Sequence, residues 1–278
     1  MRKRVAPIVG AILVAGGLAA GGAWWLLAPG PPEQPDASDA ELPVPPVPPR
    51  LAQSDEYERC LAMLETDPAG ATAYAETWRL HGGGDGARHC AGLAEIALGR
   101  PADGAAALEA LAGTSTAPDL ARASVYDQAA QAWMMAEQPE HAYTAATKAL
   151  ALSPDDADLL IDRATAAVDL GHGQAEIEDL DHALALAPRR VEALVLRAAA
   201  LRRTGSLESA ARDIDSAIAL DPDNPEALLE RGILRERTGD RGGARADWER
   251  TIRLDPDATT ADLAEQNIAL LDAGPDRR

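Results

Sequence analysis

Residues 188–222 read PRRVEALVLRAAALRRTGSLESAARDIDSAIALDP, and this stretch decides the fold. Apolar residues recur at helical spacing twice, first as Leu194, Ala198 and Leu201 and then as Ala210, Ile214 and Ala217, with Gly205 between the runs. The pattern predicts two amphipathic helices joined by a tight turn. Gly205 suits the end of the first helix, where a left-handed backbone is cheap only without a Cβ. Pro222 stops the second, because its nitrogen has no hydrogen to donate.

The same pattern recurs along the chain. Pro154, Pro188, Pro222 and Pro256 follow one another at a step of 34 residues. Gly171, Gly205 and Gly239 each precede a proline by 17 residues; Ala149, Ala183 and Ala217 do so by 5, with Thr251 in the fourth slot. Leu152, Leu186, Leu220 and Leu254 precede the prolines by 2. A period of this length marks stacked helix pairs, each burying one face against the next. Asp155-Asp156, Asp223-Asn224 and Asp257 follow prolines and read as caps for the next helix. Arg163, Arg197 and Arg231 are each followed 16 residues later by Asp179, Asp213 and Asp247, which predicts an ion pair within each unit. Partly exposed pairs contribute only about 0–1 kcal/mol, so these would set helix register more than stability.

On these residues the chain resembles the tetratricopeptide repeat family. The positions that carry the likeness are Tyr126, Ala130, Trp133, Ala142, Ala146, Ala149 and Pro154 in the first clear unit. Leu160, Ala164, Ala167, Gly171 and Leu180 follow, then Leu194, Ala198, Leu201, Ala210 and Ile214, then Leu228, Gly232, Gly239, Ala244 and Trp248. Glu176 stands where the family prefers Ala, and Arg235 where it prefers an aromatic. The resemblance implies an all-α, right-handed helical-repeat solenoid. It also implies a concave groove built from the first helix of each pair, with which a protein partner is held. In this sequence the groove positions are Asp127, Gln131, Met134, Asp158, Ile161, Asp162, Thr165, Glu192, Val195, Ala199, Arg202, Glu226, Leu229, Ile233 and Arg237. Such a groove is acidic at one edge, apolar in its middle, and carries Arg202, Arg203 and Arg237. Some family members grip the C-terminal carboxylate of a chaperone with a Lys and an Asn. Those slots here hold Asp127 and Gln131, Ile161 and Thr165, Val195 and Ala199, and Leu229 and Ile233, so that clamp is absent. A partner segment with apolar anchors and some basic residues fits better.

The chain divides into basic residues 1–4, an apolar run 5–28, a Pro-rich linker 29–50, irregular helices 51–118, four repeat units 119–256, a capping helix 257–273 and a tail 274–278 expected to be disordered. Arg2, Lys3 and Arg4 precede the apolar run, and no further Lys or Arg appears until Arg50. An uncharged run of this length can cross a bilayer as a helix, with the basic end in the cytoplasm and the repeats exported. The competing reading is a signal peptide cut near Gly21-Gly22-Ala23. Trp24, Trp25, Leu26 and Leu27 extend the run past that site, which favours an anchor. The small-residue stripe Ala11, Ala15, Ala19 and Ala23 is compatible with self-association, though compositional bias explains it as well. The linker PGPPEQPDASDAELPVPPVPP favours an extended, semi-rigid spacer.

In residues 51–118 the apolar pattern gives four helices, broken at Asp67-Pro68, at His81-Gly82-Gly83-Gly84 and at Gly99-Arg100-Pro101. Both cysteines, Cys60 and Cys90, lie here. In an exported domain they are expected to form a disulfide, free thiols being the alternative. A metal site with His81 and His89 is the third reading, but the spacing fits no closed zinc motif.

The whole chain has 278 residues and a formal net charge of −19, which argues against holding a nucleic-acid backbone. Aromatics are 3% and Phe is absent, which argues against a β-sandwich or barrel. There is no phosphate loop, dinucleotide fingerprint, nucleophile elbow or zinc-protease motif, so neither an enzyme nor a cofactor is expected. Two Lys among 26 basic residues, and abundant Ala, suggest a GC-rich bacterial genome. The expectation is a scaffold or assembly factor in the bacterial envelope, in the inner membrane with a periplasmic repeat domain, or periplasmic if the signal is cleaved. The alternatives are a chaperone-like accessory holding exported clients and a structural subunit of a membrane complex such as one for cytochrome maturation.

Overall fold

The computed structural model describes residues 50–274, and within them thirteen α-helices and no strand. The apolar run 5–28 and most of the linker lie outside the described residues. Among the described residues no helix is long and apolar enough to cross a membrane.

The irregular segment forms α1 (Asp55–Met63), α2 (Pro68–Leu80), α3 (Gly84–Ala97) and α4 (Pro101–Thr114). The regular units follow as α5 (Asp119–Met135) and α6 (Pro139–Leu152), α7 (Ala157–Asp169) and α8 (Gly173–Leu186), α9 (Val191–Arg203) and α10 (Leu207–Leu220), and α11 (Pro225–Arg237) and α12 (Arg241–Leu254). Helix α13 (Thr259–Ala273) packs against α11 and α12 and covers the last pair. Each second helix ends two residues before its column proline.

The turns between paired helices need a left-handed residue. Gly171, Gly205 and Gly239 supply it at φ 69°, 89° and 92°. In the first unit the same slot holds Glu137, which adopts φ 56° despite its Cβ. Caps are more selective than the sequence suggested. Asp156 accepts from the backbone N–H of Asp158 and Leu159, and Asn224 from that of Ala227. Asp257 does not cap: α13 begins two residues later, with Ala258 at its N-cap and no side-chain bond.

Close helix packing rests on small residues. Ala149, Ala183, Ala217 and Thr251 are all fully buried, and the Thr251 hydroxyl, the misfit of that column, donates to the Asp247 carbonyl at 3.2 Å. Gly232 lies against the Trp248 indole, where an added Cβ would come within 2.3 Å of Nε1. The main core runs from α4 into α11, around Leu108, Tyr126, Leu160, Leu180 and Leu194. A separate C-terminal cluster gathers Leu229, Ala244, Trp248, Ala264 and Leu271.

Arg163 meets Asp179, Arg197 meets Asp213 and Arg231 meets Asp247, each through two parallel bonds of 2.5–2.9 Å. The three carboxylates are buried, so these pairs differ from the exposed ones the spacing suggested. A buried pair costs desolvation but is costly to break from one side. The two family departures are met in the same way. Glu176 is buried and accepts from Arg203 of α9, and Arg235 donates to Asp247 at 2.6 Å.

Cys60 of α1 and Cys90, midway along α3, form a disulfide with Cα atoms 6.2 Å apart. Closing a 30-residue separation stabilises by about 3.5 kcal/mol in the chain-entropy account. The metal reading fails on geometry as well: His81 is exposed and bonds the Thr77 carbonyl, while His89 is held between Tyr57 and Gln128.

Candidate functional site: the inner face of the solenoid

The first helices touch across repeats, α5 with α7, α9 with α11 and α11 with α13, more closely than the second helices do. They therefore line the inside of the curve. Spacings of three, four and seven residues bring their side chains to one side of each helix.

Most of the expected groove residues are accessible there. Gln131, Asp158, Glu192, Glu226 and Arg237 are exposed; Asp127, Met134, Asp162, Thr165, Val195, Ala199, Arg202 and Ile233 are half-buried. Ile161 and Leu229 are not available. Ile161 is 2% exposed within the main core, and Leu229 is 9% exposed beside Trp248, whose indole N–H donates to the Leu229 carbonyl. Both side chains fill the seams where one first helix stacks on the next.

A cavity of about 420 Å³ opens on this face between α7, α9 and α11, lined by Thr165, Glu192, Val195, Leu196, Asn224 and Glu226. Its floor is aliphatic and its rim carboxylate. Asn224, which sequence reasoning treated only as a cap, contributes to both the helix start and the wall.

The cations near the face are engaged. Arg190 spans Asp158 at 2.5 Å and Glu192 at 3.5 Å. Arg202 pairs with buried Glu230 on α11, and Arg237 donates to the Arg202 carbonyl at 3.1 Å. Arg203, one residue and about 100° on from Arg202, turns away to Glu176 on α8. The face is accordingly more acidic than its composition suggests.

One repeat toward the N-terminus, two carboxyl groups meet. The Gln131 amide donates to Asp127 at 3.3 Å and to Asp162 at 3.0 Å, bridging α5 and α7. The Asp127 Oδ1 atom is buried with no hydrogen-bond partner. Burial first, then the hydrogen bond and charge of Asp162, then Asp156 and Asp158, push the Asp127 carboxyl up to about 8. At neutral pH it holds a proton against Asp162.

A second cavity of about 320 Å³ lies nearer the N-terminus, lined in part by Tyr57, Leu61, His89, Leu93, Val125 and Gln128. There the Tyr57 hydroxyl meets His89 Nδ1 at 2.6 Å and Gln128 Oε1 meets Nε2 at 2.6 Å. Burial holds the imidazole below its ordinary value, against the opposing Gln128 bond. As the Gln oxygen can only accept, Nε2 carries the hydrogen and Nδ1 accepts from Tyr57. No periodicity joins these three residues, so sequence reasoning missed the arrangement.

A family profile described as tetratricopeptide repeat matches residues 196–269. No curated protein matches the chain significantly. Among solved structures, pilF of Pseudomonas aeruginosa is 14% identical, with 76% of this chain and 96% of that one covered and a TM-score of 0.59. A tetratricopeptide repeat protein from Parabacteroides merdae is 18% identical over 69% of this chain and 77% of that one, with a TM-score of 0.57. MamA is 17% identical over 64% and 96%, with a TM-score of 0.51. At these identities the likeness shows the fold. The fold and the matched segment define an all-helical repeat protein of the tetratricopeptide kind.

Proposed function

We propose that this protein is an interaction scaffold that holds a segment of a protein partner along its inner face, within a bacterial cell envelope. The carrying observation is the cavity between α7, α9 and α11, whose aliphatic floor of Val195 and Leu196 sits inside a rim of Glu192 and Glu226. An apolar anchor flanked by Arg or Lys is complementary to it. The chaperone-like alternative is less well supported. Burial of Ile161 and Leu229 leaves a narrow apolar floor rather than a broad surface for varied clients.

In this reading residues 5–28 anchor the chain with its N-terminus in the cytoplasm, and the linker carries the repeats on the exported side. The Cys60–Cys90 bridge supports that placement, since disulfides persist in oxidising compartments. The inner face lacks a constellation of nucleophile, base and oxyanion donors among the described residues, in keeping with a binding role. The double substitution Glu192→Lys, Glu226→Lys tests the binding reading. It should abolish capture of the partner in cells while the far-ultraviolet helix signal is unchanged; undiminished capture would refute it. Cysteine-reactive labelling of an introduced surface thiol in intact and permeabilised cells tests the exported placement.

A further inference from the structure

Two carboxyl groups of the inner face share one hydrogen, and any cation bound there must compete with it. Asp127 of α5 and Asp162 of α7 stand on either side of the Gln131 amide, which donates to both. An amide with two donors cannot neutralise two carboxylates. The remaining Asp127 oxygen is buried with no hydrogen-bond partner, a position costly for a charged acid.

The surroundings offer no relief. On α7 and its N-cap the nearest charges are Asp158 and Asp156, both acidic. Arg190, at the start of α9, is held by Asp158 and Glu192. On α6, Lys148 is bound to Glu109 of α4, which also accepts from the Trp133 indole on α5. Arg163 of α7 is locked onto Asp179 of α8, and His89 of α3 is bonded to Gln128. Every charge that acts appreciably on Asp127 is an acid, and the carboxyl keeps its proton for that reason.

We propose that partner binding at this face is linked to a proton: a basic side chain of the bound segment displaces the hydrogen shared by Asp127 and Asp162. This rests on the binding reading above. The exchange balances simply. A carboxylic acid and a guanidinium become a carboxylate–guanidinium pair, and one proton goes to solvent. Guanidinium is the best candidate, because its planar fork can bond two carboxylates at once. The neighbouring cavity, one repeat on, would take an apolar side chain of the same segment. The partner is thus a basic–apolar segment that binds more tightly as pH rises.

The test uses the full chain and a fluorescent acetyl-Arg-Leu-Arg-Leu-Arg-amide peptide, none of whose groups titrates in the range. Anisotropy titrations run from about pH 6 to about pH 8.5, spanning the Asp127 transition. The expected result is an affinity that rises about tenfold or more across the range. Asp127→Asn and, independently, Asp162→Asn should bind with a flat pH profile, while Glu192→Gln should weaken binding without altering the slope. A flat wild-type profile, or an unchanged slope in both Asn variants, overturns the proton linkage and leaves the binding reading standing. No binding of the peptide at any pH overturns both.

Discussion

Arg203 of α9 reaches back to the buried Glu176 of α8, placing Nη2 2.5 Å from one carboxylate oxygen and 2.7 Å from the other. The carboxylate occupies a slot that the repeat pattern reserves for a small residue. Its charge is tolerable only because the next helix pair brings a cation.

The two halves of this pair should respond unequally. Arg203→Ala leaves Glu176, 1% exposed, without a counter-ion and should lower stability by about 2–3 kcal/mol. Glu176→Ala leaves an arginine that can turn to water and restores a small residue, and should be near neutral. Denaturant unfolding of both variants checks the asymmetry; equal losses would contradict it.

Glu137 holds the left-handed turn that Gly171, Gly205 and Gly239 hold in the later units. The Glu137 side chain is exposed, so its replacement loses no packing. Glu137→Gly should therefore stabilise the protein by about 1 kcal/mol, seen as a higher thermal midpoint. A lower midpoint would mean that the Cβ strain is not the governing effect.

Asp127 also makes folding stability depend on pH. Its folded value, about 8, lies above the ordinary 3.8. A raised acid contributes fully below the unfolded value, and its contribution is lost as pH rises toward the folded one. Between about pH 4 and pH 8 the fold should thus lose up to about 1.4 kcal/mol per pH unit from this group. Asp127→Asn should flatten that slope and be more stable than wild type near pH 8. Urea melts across the range measure both effects.

The Cys60–Cys90 bridge ties down a helix with few other attachments, since α1 buries only Tyr57 and Cys60. Replacing both cysteines by Ala should cost about 3.5 kcal/mol. Amide exchange should rise chiefly in α1, with α7 to α12 unaffected near neutral pH. Uniform acceleration over all helices would contradict this local role.

The architecture was readable because one 34-residue step repeats its turn, small and stop positions together. The ion pairs Arg163–Asp179, Arg197–Asp213 and Arg231–Asp247 were readable for the same reason. Features that occur once were not. Glu176 and Arg203 lie 27 residues apart, and no second pair repeats that partnership. Tyr57, His89 and Gln128 converge from three helices without any periodic signal. The inner face was legible as a set of positions but not as a surface. Helical spacing shows which side of α7 or α11 faces inward, but not that the adjacent first helix closes over Ile161 and Leu229. Nor does spacing show that Arg202 and Arg203, adjacent in sequence, are drawn to Glu230 and Glu176 on different helices.

The central claim is that the inner face holds a partner. A photo-crosslinking residue at Val195, on the cavity floor, can be compared in cells with one at Glu208, exposed on α10. The account predicts a discrete adduct from Val195 that is absent from Glu208, its crosslinked segment carrying an apolar residue flanked by Arg or Lys. Equal adducts from both positions, or none from Val195, would contradict it.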